Sequence, residues 1–281
     1  SSLRLAPATF YYHRRATGGG EGATAALRAR VLAVGAEHPE YGYRRVKRAL
    51  DAAGDGFAHV SEKRVRRVMR DEGVQPPRRR RRSRYSSYDP RADKGESVAN
   101  VPLRADGTHD FGADAPNRLW VSDVTEFALP DGERVYLSPV LDCFDSSLVG
   151  WEASTSERAD DLTNPSLERA AERLGEGDRC VVHTDRGGQR FSSGRIGLCE
   201  RFGVVRSMSR KGRSPDNARM EGFFGRLKTG FFDVRDWSGK GAGEFVEELD
   251  AWLRYHDEGR PKESLGWLSP MQYRRRHFEA A

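Results

Sequence analysis

Residues 181–193 have the sequence VVHTDRGGQRFSS, and this stretch decides the fold prediction. Val181 and Val182 begin a short apolar run typical of a buried strand, and the strand ends on Asp185. A polar, glycine-containing segment follows and predicts a loop. Asp and Gly form simple turns, but open sheets place their sites at the carboxyl ends of strands. Asp185 therefore indicates either a turn or one ligand of a metal site, and the second interpretation requires further acids.

The elements around this strand predict an α/β core. Short turns separate three strands within residues 118–154, and helical spacing of Leu and Ala predicts a helix over 159–174. The remaining predictions are a strand over 178–185, a helix over 194–202, a strand over 203–209 and a long helix within 214–232, with Asp216 as its cap. Three strands, helix, strand, helix, strand and helix is the order of a ribonuclease-H-like fold.

Three carboxylates have positions that allow them to converge. Asp123 lies in the first strand, Asp185 ends the fourth, and Glu221 lies inside the long helix. In a ribonuclease-H-like sheet those two strands are neighbours and the helix packs across them. Carboxylates suit Mg²⁺, which prefers hard oxygen ligands. Asp142, at the end of the second strand, is the main competing acid and is assigned to local hydrogen bonding, while His183 is assigned to packing.

The motifs around the three acids resemble a known family. They are WVSDVTEF, HTDRGGQRFSS and SRKGRSPDNARMEGFFGRLKTG, with 35 residues between Asp185 and Glu221. Together they resemble the D,D(35)E transposases related to retroviral integrases, specifically the second-frame product of bacterial insertion sequences. The resemblance implies that Asp123, Asp185 and Glu221 are the catalytic and metal-binding residues. It also implies Mg²⁺ as the cofactor, with Mn²⁺ as a substitute.

The same resemblance implies a reaction and its partners. The reaction is cleavage at the insertion-sequence ends, followed by attack of the freed 3′-hydroxyl on target DNA. The partners are double-stranded DNA, namely terminal inverted repeats and target, further copies of the chain, and an upstream first-frame product or fusion segment. The implied location is the bacterial cytoplasm, at the nucleoid. Two alternatives stay open: a nuclease that only hydrolyses, and a non-catalytic DNA-binding repressor derived from such an enzyme.

Charge and composition separate the chain into two parts. Residues 1–100 hold 22 Lys and Arg against 11 Asp and Glu, a net charge of +11, so the remainder carries −5. This asymmetry indicates a polyanion-binding front end on a more acidic body. No apolar run approaches the roughly 20 residues of a membrane span. The three cysteines have no paired spacing and predict reduced thiols.

The basic front end predicts three short helices. Residues 24–38 and 43–53 have helical spacing, and Ser61 can cap a third helix whose apolar side contains Val65, Val68 and Met69. Three helices with a basic third one are typical of a helix-turn-helix. Candidate DNA-contacting residues in this domain, in the arginine-rich segment that follows and around the long helix are Arg44, Arg45, Lys63, Arg64, Arg67, Arg78, Arg79, Arg80, Arg81, Arg82, Lys211, Asn217 and Lys228.

The predicted organisation has four parts. An all-α helix-turn-helix domain covers residues 1–75, and a basic linker rich in Arg and Pro covers 76–114. The ribonuclease-H-like integrase core covers 115–235, and a helical extension covers 236–281. The extension contains YHDEGRPKESLGWLSPMQY, which resembles the carboxyl-terminal signature of the transposase family.

Overall fold

The structure, a computed structural model, describes residues 20–77, 98–185, 193–209 and 217–280. The described residues up to 77 form one compact unit, and nearly all those from 98 onward form a second. None of the helices in these ranges is both long enough and apolar enough to cross a membrane. The cysteines predicted as reduced thiols, Cys143, Cys180 and Cys199, are buried and unpaired with one another.

The first unit contains the three predicted helices, α1 (Gly20–Glu37), α2 (Tyr43–Ala53) and α3 (Glu62–Asp71). The Ser61 hydroxyl accepts a hydrogen bond from the Arg64 N–H and caps α3, as the sequence predicted. One apolar core joins the helices, and its buried members are Leu27, Val31, Val34, Val46, Leu50, Val65, Val68 and Met69. The basic residues of α3 therefore lie away from this core.

The second unit is built on a mixed six-stranded sheet. Its strands are β1 (Leu119–Ser122), β2 (Thr125–Ala128), β3 (Arg134–Asp142), β4 (Leu148–Ser154), β5 (Val181–Thr184) and β6 (Val205–Met208). β3 pairs antiparallel with β1, β2 and β4, whereas β1, β5 and β6 are parallel to one another. β1 lies at the centre, between β3 and β5, as a ribonuclease-H-like arrangement requires.

One predicted strand, over residues 118–129, is interrupted in the structure. β1 and β2 pair with the same β3 in one continuous register, since Trp120 faces Asp142 and Thr125 faces Leu137. That register places the break at Asp123 opposite Pro139, which has no N–H to donate to a ladder. The interruption therefore frees the backbone at Asp123 from regular pairing.

One face of the sheet carries α4 (Thr163–Ala171) and α5 (Ser193–Phe202). They pack in a cluster with the side chains of Trp120, Val140, Val149, Val182, Leu167 and Cys199. The predicted helix over 159–174 is shorter here: a 3₁₀ turn (Ala159–Asp161) precedes α4, because Leu162 leaves the helical region with φ −136°. The described part of this face is an apolar core.

The opposite face carries α6 (Ala218–Leu227), which continues into a π-helical turn (Lys228–Phe232), and α7 (Ala242–Glu258). The last helix, α8 (Pro270–Ala280), packs against α7. α6 contacts β1, and α7 contacts β3 and β4. Aromatic rings join these elements. The ring centroids of Phe127 in β2 and Phe245 in α7 are 5.1 Å apart, and those of Phe223 in α6 and Trp252 in α7 are 6.4 Å apart.

Residues 98–112, which we call the strap, cross the same face beside β6. The Met208 N–H donates to the Ala99 carbonyl, and the strap closes on itself through a bridge between Leu103 and His109. The sequence placed these residues in the linker, because they contain few apolar side chains. The structure holds them against the sheet through backbone hydrogen bonds and Phe111, which is buried.

Candidate active site and nucleic-acid interface

Two of the three predicted acids lie side by side at one end of the sheet. Ser122 of β1 is the register partner of Thr184 of β5, and both strands run in the same direction. Asp123 and Asp185 are the next residues, so they leave the carboxyl ends of neighbouring strands that are about 4.8 Å apart. Both side chains are half-buried. This is the end of a parallel pair at which open α/β sheets place their sites.

Strand alternation indicates which face these acids occupy. Val121 and His183 are register partners, and Asp123 and Asp185 lie two residues beyond them. Side chains two apart on a strand share a face. Because Trp120 packs in the cluster with α4 and α5, the acids belong to the face that carries α6 and the strap.

α6 brings the third acid to this face. Asn217 precedes the helix and is only 5% exposed; its Nδ2 donates to the Ser122 carbonyl over 3.4 Å. Glu221 follows one turn later on the same side of α6 and is exposed. The helix thus begins at the carboxyl end of β1, next to Asp123.

The sequence predicts Asn217 as a DNA-contacting residue. Its buried side chain faces the strand end instead, and its Oδ1 has no hydrogen-bond partner among the described residues. Asp216, the predicted cap of the helix, lies outside the described residues. Asn217 occupies the cap position but makes no capping hydrogen bond with its side chain.

The side chains of the three acids are not gathered around a common point. Within the described ranges, no group of three or more His, Cys, Asp or Glu side chains is arranged to hold a metal ion. The Asp123 Oδ1 accepts a hydrogen bond of 2.8 Å from the Val124 N–H. The fold therefore brings the backbone positions together, while the carboxylates hold other partners.

His183 is a packing residue, as the sequence predicted. The ring is fully buried, with Nδ1 2.8 Å from the Ser207 hydroxyl and Nε2 3.2 Å from the Ser209 hydroxyl. Phe111 of the strap contacts it edge-on at 6.1 Å between ring centroids. With both nitrogens engaged, the imidazole has no nitrogen left for a metal ion.

Asp142 lies at the other end of the sheet. β3 is antiparallel to β1, so Asp142, opposite Trp120, is near the amino end of β1. Its carboxylate accepts the N–H groups of Asn117 and Phe144, at 2.8 and 2.9 Å. The predicted local hydrogen bonding is confirmed. The other partner of Asp142, which the sequence does not predict, is the Arg274 guanidinium, which also binds Asp145 at 2.6 Å.

The structure also places the predicted DNA-contacting residues of α3. Arg64 is turned toward α1, with Nη2 donating to the Thr24 hydroxyl at 3.0 Å. Lys63 and Arg67 are exposed on the side of α3 opposite Val65 and Val68 and have no ion-pair partner among the described residues. These two cations lie one helical turn apart on the exposed side of α3.

Other predicted contacts have mixed surroundings. The guanidinium groups of Arg44 and Arg45 lie 5.8 and 5.9 Å from the rings of Tyr43 and Tyr41. Lys228, at the end of α6, is half-buried with its Nζ 5.5 Å from the Phe127 ring. The predicted contacts at residues 78–82 and at Lys211 lie outside the described residues.

Comparison with protein families places both units. Residues 113–214 and 203–270 match family models described as an integrase core domain, and residues 23–82 match an HTH-like domain. The two core matches include all three acids. The HTH-like match includes α1, α2 and α3.

Individual relatives agree with the family models. The chain is 43% identical over 236 residues to a "Probable transposase for insertion sequence element IS1353" of Shigella flexneri, covering 83% of this chain and 43% of that protein. It is 30% identical to the transposase for insertion sequence element IS904 of Lactococcus lactis, covering 88% and 92%. A chain in the structure of a simian T-cell lymphotropic virus intasome with PP2A regulatory subunit B56 gamma has a TM-score of 0.50 at 14% identity, over 81% of this chain and 74% of that chain. This last likeness concerns the fold alone.

Proposed function

This chain belongs to the family of insertion-sequence transposases with an integrase core domain, and we propose that it cuts DNA at the ends of its element and joins the freed 3′-hydroxyl to target DNA. The observation that carries the proposal is the register of β1 and β5. It places Asp123 and Asp185 at adjacent strand ends, on the face where α6 presents Glu221. This chain spans 43% of the length of the Shigella flexneri relative. The activity is therefore proposed for this chain and is not taken over from that longer protein.

The three acids have the chemistry that a divalent cation requires. Carboxylate oxygens are the ligands that Mg²⁺ and Mn²⁺ accept. The buried Asn217 Oδ1, without a partner among the described residues, adds a polar atom beside the Ser122 strand end. We propose that Asp123, Asp185 and Glu221 would hold Mg²⁺. Bound there, the cation would polarise the reacting oxygens of phosphoryl transfer.

Each chain element has a separate task in this proposal. β1 and β5 set the positions of Asp123 and Asp185, because the residues just before them, Ser122 and Thr184, are paired in the central sheet. Asn217 ties the start of α6 to β1 and so sets the position of Glu221. The half-buried or exposed positions of the three carboxylates leave them accessible to a cation from solvent.

The helical unit is proposed to bind double-stranded DNA. Its third helix carries the exposed Lys63 and Arg67, and basic side chains gain affinity by neutralising phosphates. Joining two element ends to a target requires more than one copy of the chain on DNA, so the functional assembly is proposed to be a homo-oligomer acting at the nucleoid. A first-frame product or fusion segment would be a further partner.

The enzymatic proposal is tested with purified protein and a labelled duplex that carries the element end taken from the flanking DNA. With Mg²⁺ or Mn²⁺, we expect nicked products followed by joined products, and chelation by EDTA should remove both. Nicking without joining would instead indicate a hydrolytic nuclease. DNA binding without either product would indicate a repressor.

The DNA-binding proposal is tested on α3 by competition binding between element-end and unrelated duplexes. The Lys63→Ala, Arg67→Ala double variant should lower affinity for the element end and reduce the salt dependence by about two phosphate contacts. Arg64→Ala is the matched control, since this side chain is bonded to Thr24. A larger loss in the control than in the double variant would contradict the assignment of the binding surface.

A further inference from the structure

We propose that the strap is a positioning element of the active site, in which Phe111 couples the strand that ends at Asp185 to the helix that carries Glu221. The strap (residues 98–112) precedes the region that matches the integrase core domain. The inference rests on the function proposed above, because it assigns Asp185 and Glu221 to one metal site.

The first contact joins the strap to β5. The Phe111 ring, 9% exposed, packs edge-on against the buried His183 ring, two residues before Asp185. The Val101 N–H donates to the Ser207 hydroxyl at 2.9 Å, and that hydroxyl also contacts His183 Nδ1 at 2.8 Å. The strap thus fixes the side chain on β5 that is nearest to Asp185 on the same face.

The second contact joins the strap to α6. Arg219 Nη2 donates to the Phe111 carbonyl at 3.3 Å. Arg219 lies in the first turn of α6, two residues before Glu221. Together with the bond from Asn217 to Ser122, this contact gives the first turn of α6 two attachments: one to β1 and one to the strap. A single strap residue therefore contacts both elements that carry the second and third acids.

Internal hydrogen bonds and an ion pair hold the strap in one conformation, so it can fix the position of α6 relative to β5. The Asp110 N–H donates to the Pro102 carbonyl and the Gly112 N–H donates to the Asp110 carboxylate, both at 2.8 Å. Arg104 forms an ion pair with Asp110 across the base of the turn. Hydrogen bonds to β6 hold the other arm of the strap. Loosening Phe111 should therefore release α6 from β5 without unfolding the sheet.

The expected consequence is a change in metal binding. Groups that orient metal-bearing side chains typically contribute 10–100-fold to metal affinity. DNA affinity should be much less affected, because it is proposed to arise from basic residues of the helical unit. A purely structural role for the strap would instead lower the melting temperature and leave Mn²⁺ affinity unchanged.

The test is a Mn²⁺ titration of the full chain followed by electron paramagnetic resonance, with thermal melting of the same samples. We expect Phe111→Ala and Arg219→Gln to weaken Mn²⁺ binding by roughly tenfold and to raise by the same factor the Mn²⁺ concentration for half-maximal cleavage. Phe111→Leu should largely restore both. The control is Ala105→Ser, since Ala105 lies in the same segment and is exposed, and it should leave Mn²⁺ binding unchanged.

Asp185→Asn separates the two possible failures. If Asp185→Asn binds Mn²⁺ no more weakly than the wild-type chain does, the proposed metal site itself is wrong. If that site exists, and both Arg219→Gln and folded Phe111→Ala bind Mn²⁺ as the wild-type chain does, the strap is not a positioning element. Should Phe111→Ala fail to fold, the surface variant Arg219→Gln decides alone.

Discussion

Asp142 shows how surroundings determine the role of a carboxylate. Its side chain is fully buried, and burial raises its pKa, while the neighbouring Arg274 guanidinium and two backbone N–H groups act in the opposite direction. Its oxygens are occupied by these donors, so the group serves to join β3 to α8. Asp123 and Asp185 occupy strand ends that are open to water.

We predict that Asp142→Asn lowers the free energy of unfolding but leaves the activity of the folded fraction unchanged. The amide nitrogen of Asn would face one of the donors that the carboxylate accepts from, and this unmade buried hydrogen bond should cost about 1–3 kcal/mol in the free energy of unfolding, measured by urea titration. Asp131→Asn, an exposed acid in the β2–β3 turn, should change stability by less than about 0.5 kcal/mol. A fully stable Asp142→Asn variant that has lost Mn²⁺ binding would overturn this assignment.

Lys262 gives a pH prediction. It is buried, with Nζ 3.1 Å from the Ser146 carbonyl. Burial lowers its pKa to about 7, and Arg226 and Arg260 act in the same direction, while Asp257 and Asp145 oppose them. The unfolded chain binds a proton between about pH 7 and 10.5 that the folded chain does not. The contribution of Lys262 to the free energy of unfolding is therefore fully present above about pH 10.5. It is lost as the pH falls toward the folded-state pKa of about 7.

The expected result is a Lys262 contribution to the free energy of unfolding that rises with pH across that window, by at most about 1.4 kcal/mol per pH unit. It is measured as the difference between the wild-type chain and Lys262→Met, because burial raises the pKa of the Cys143 and Cys180 thiols and these groups act in the opposite direction at the alkaline end. Lys262→Met should remove this rise. Lys240→Met, a partly exposed lysine paired with Glu248, is the control and should keep it. Urea unfolding at pH 7.5 and 9.5 measures the difference, and parallel curves for the wild-type chain and Lys262→Met would refute the prediction.

At the scale of elements, β4 and α4 approach each other closely at Gly150. A Cβ atom there would lie 2.4 Å from the Ser166 carbonyl oxygen and 2.8 Å from the Ala170 nitrogen. Gly150→Ala should therefore lower the free energy of unfolding by about 1–3 kcal/mol. Gly197→Ala, in α5 with no neighbour within 4 Å, should raise it by about 0.5–1 kcal/mol. Effects of the same sign in thermal melts would contradict this packing.

Periodicity predicted most helices and strands, and local chemistry explains the differences. The break between β1 and β2 depends on Pro139, a residue of another strand that faces Asp123. The sequence carries that information only once the pairing is known. The strap escaped prediction for a related reason: its hydrogen bonds to β6 are made across about a hundred residues of chain.

At the scale of the whole molecule, the order of elements and the spacing of the acids predicted the family and the strand-end position of Asp185, whereas Asp123 was predicted inside a strand that in fact ends at Ser122. Orientation of individual side chains could not be predicted in this way. Arg64 and Asn217 have the chemistry of DNA contacts, yet the structure turns Arg64 to Thr24 and buries Asn217 against Ser122. Half-buried cations such as Arg274 carry no periodic signal, so its ion pairs with Asp142 and Asp145 could not be predicted.

The central claim is that Asp123, Asp185 and Glu221 form one metal-dependent site for DNA cleavage and joining. The most direct measurement is the rate of joined product from a labelled element-end duplex with Mg²⁺, for Asp185→Asn and Glu221→Gln. Each should lose at least about a thousandfold, equivalent to about 4 kcal/mol, while binding the duplex normally. Glu126→Gln, an exposed acid of β2 paired with Arg134, should react at the wild-type rate. A folded, DNA-binding Glu221→Gln that joins ends as fast as the wild-type chain would contradict the account.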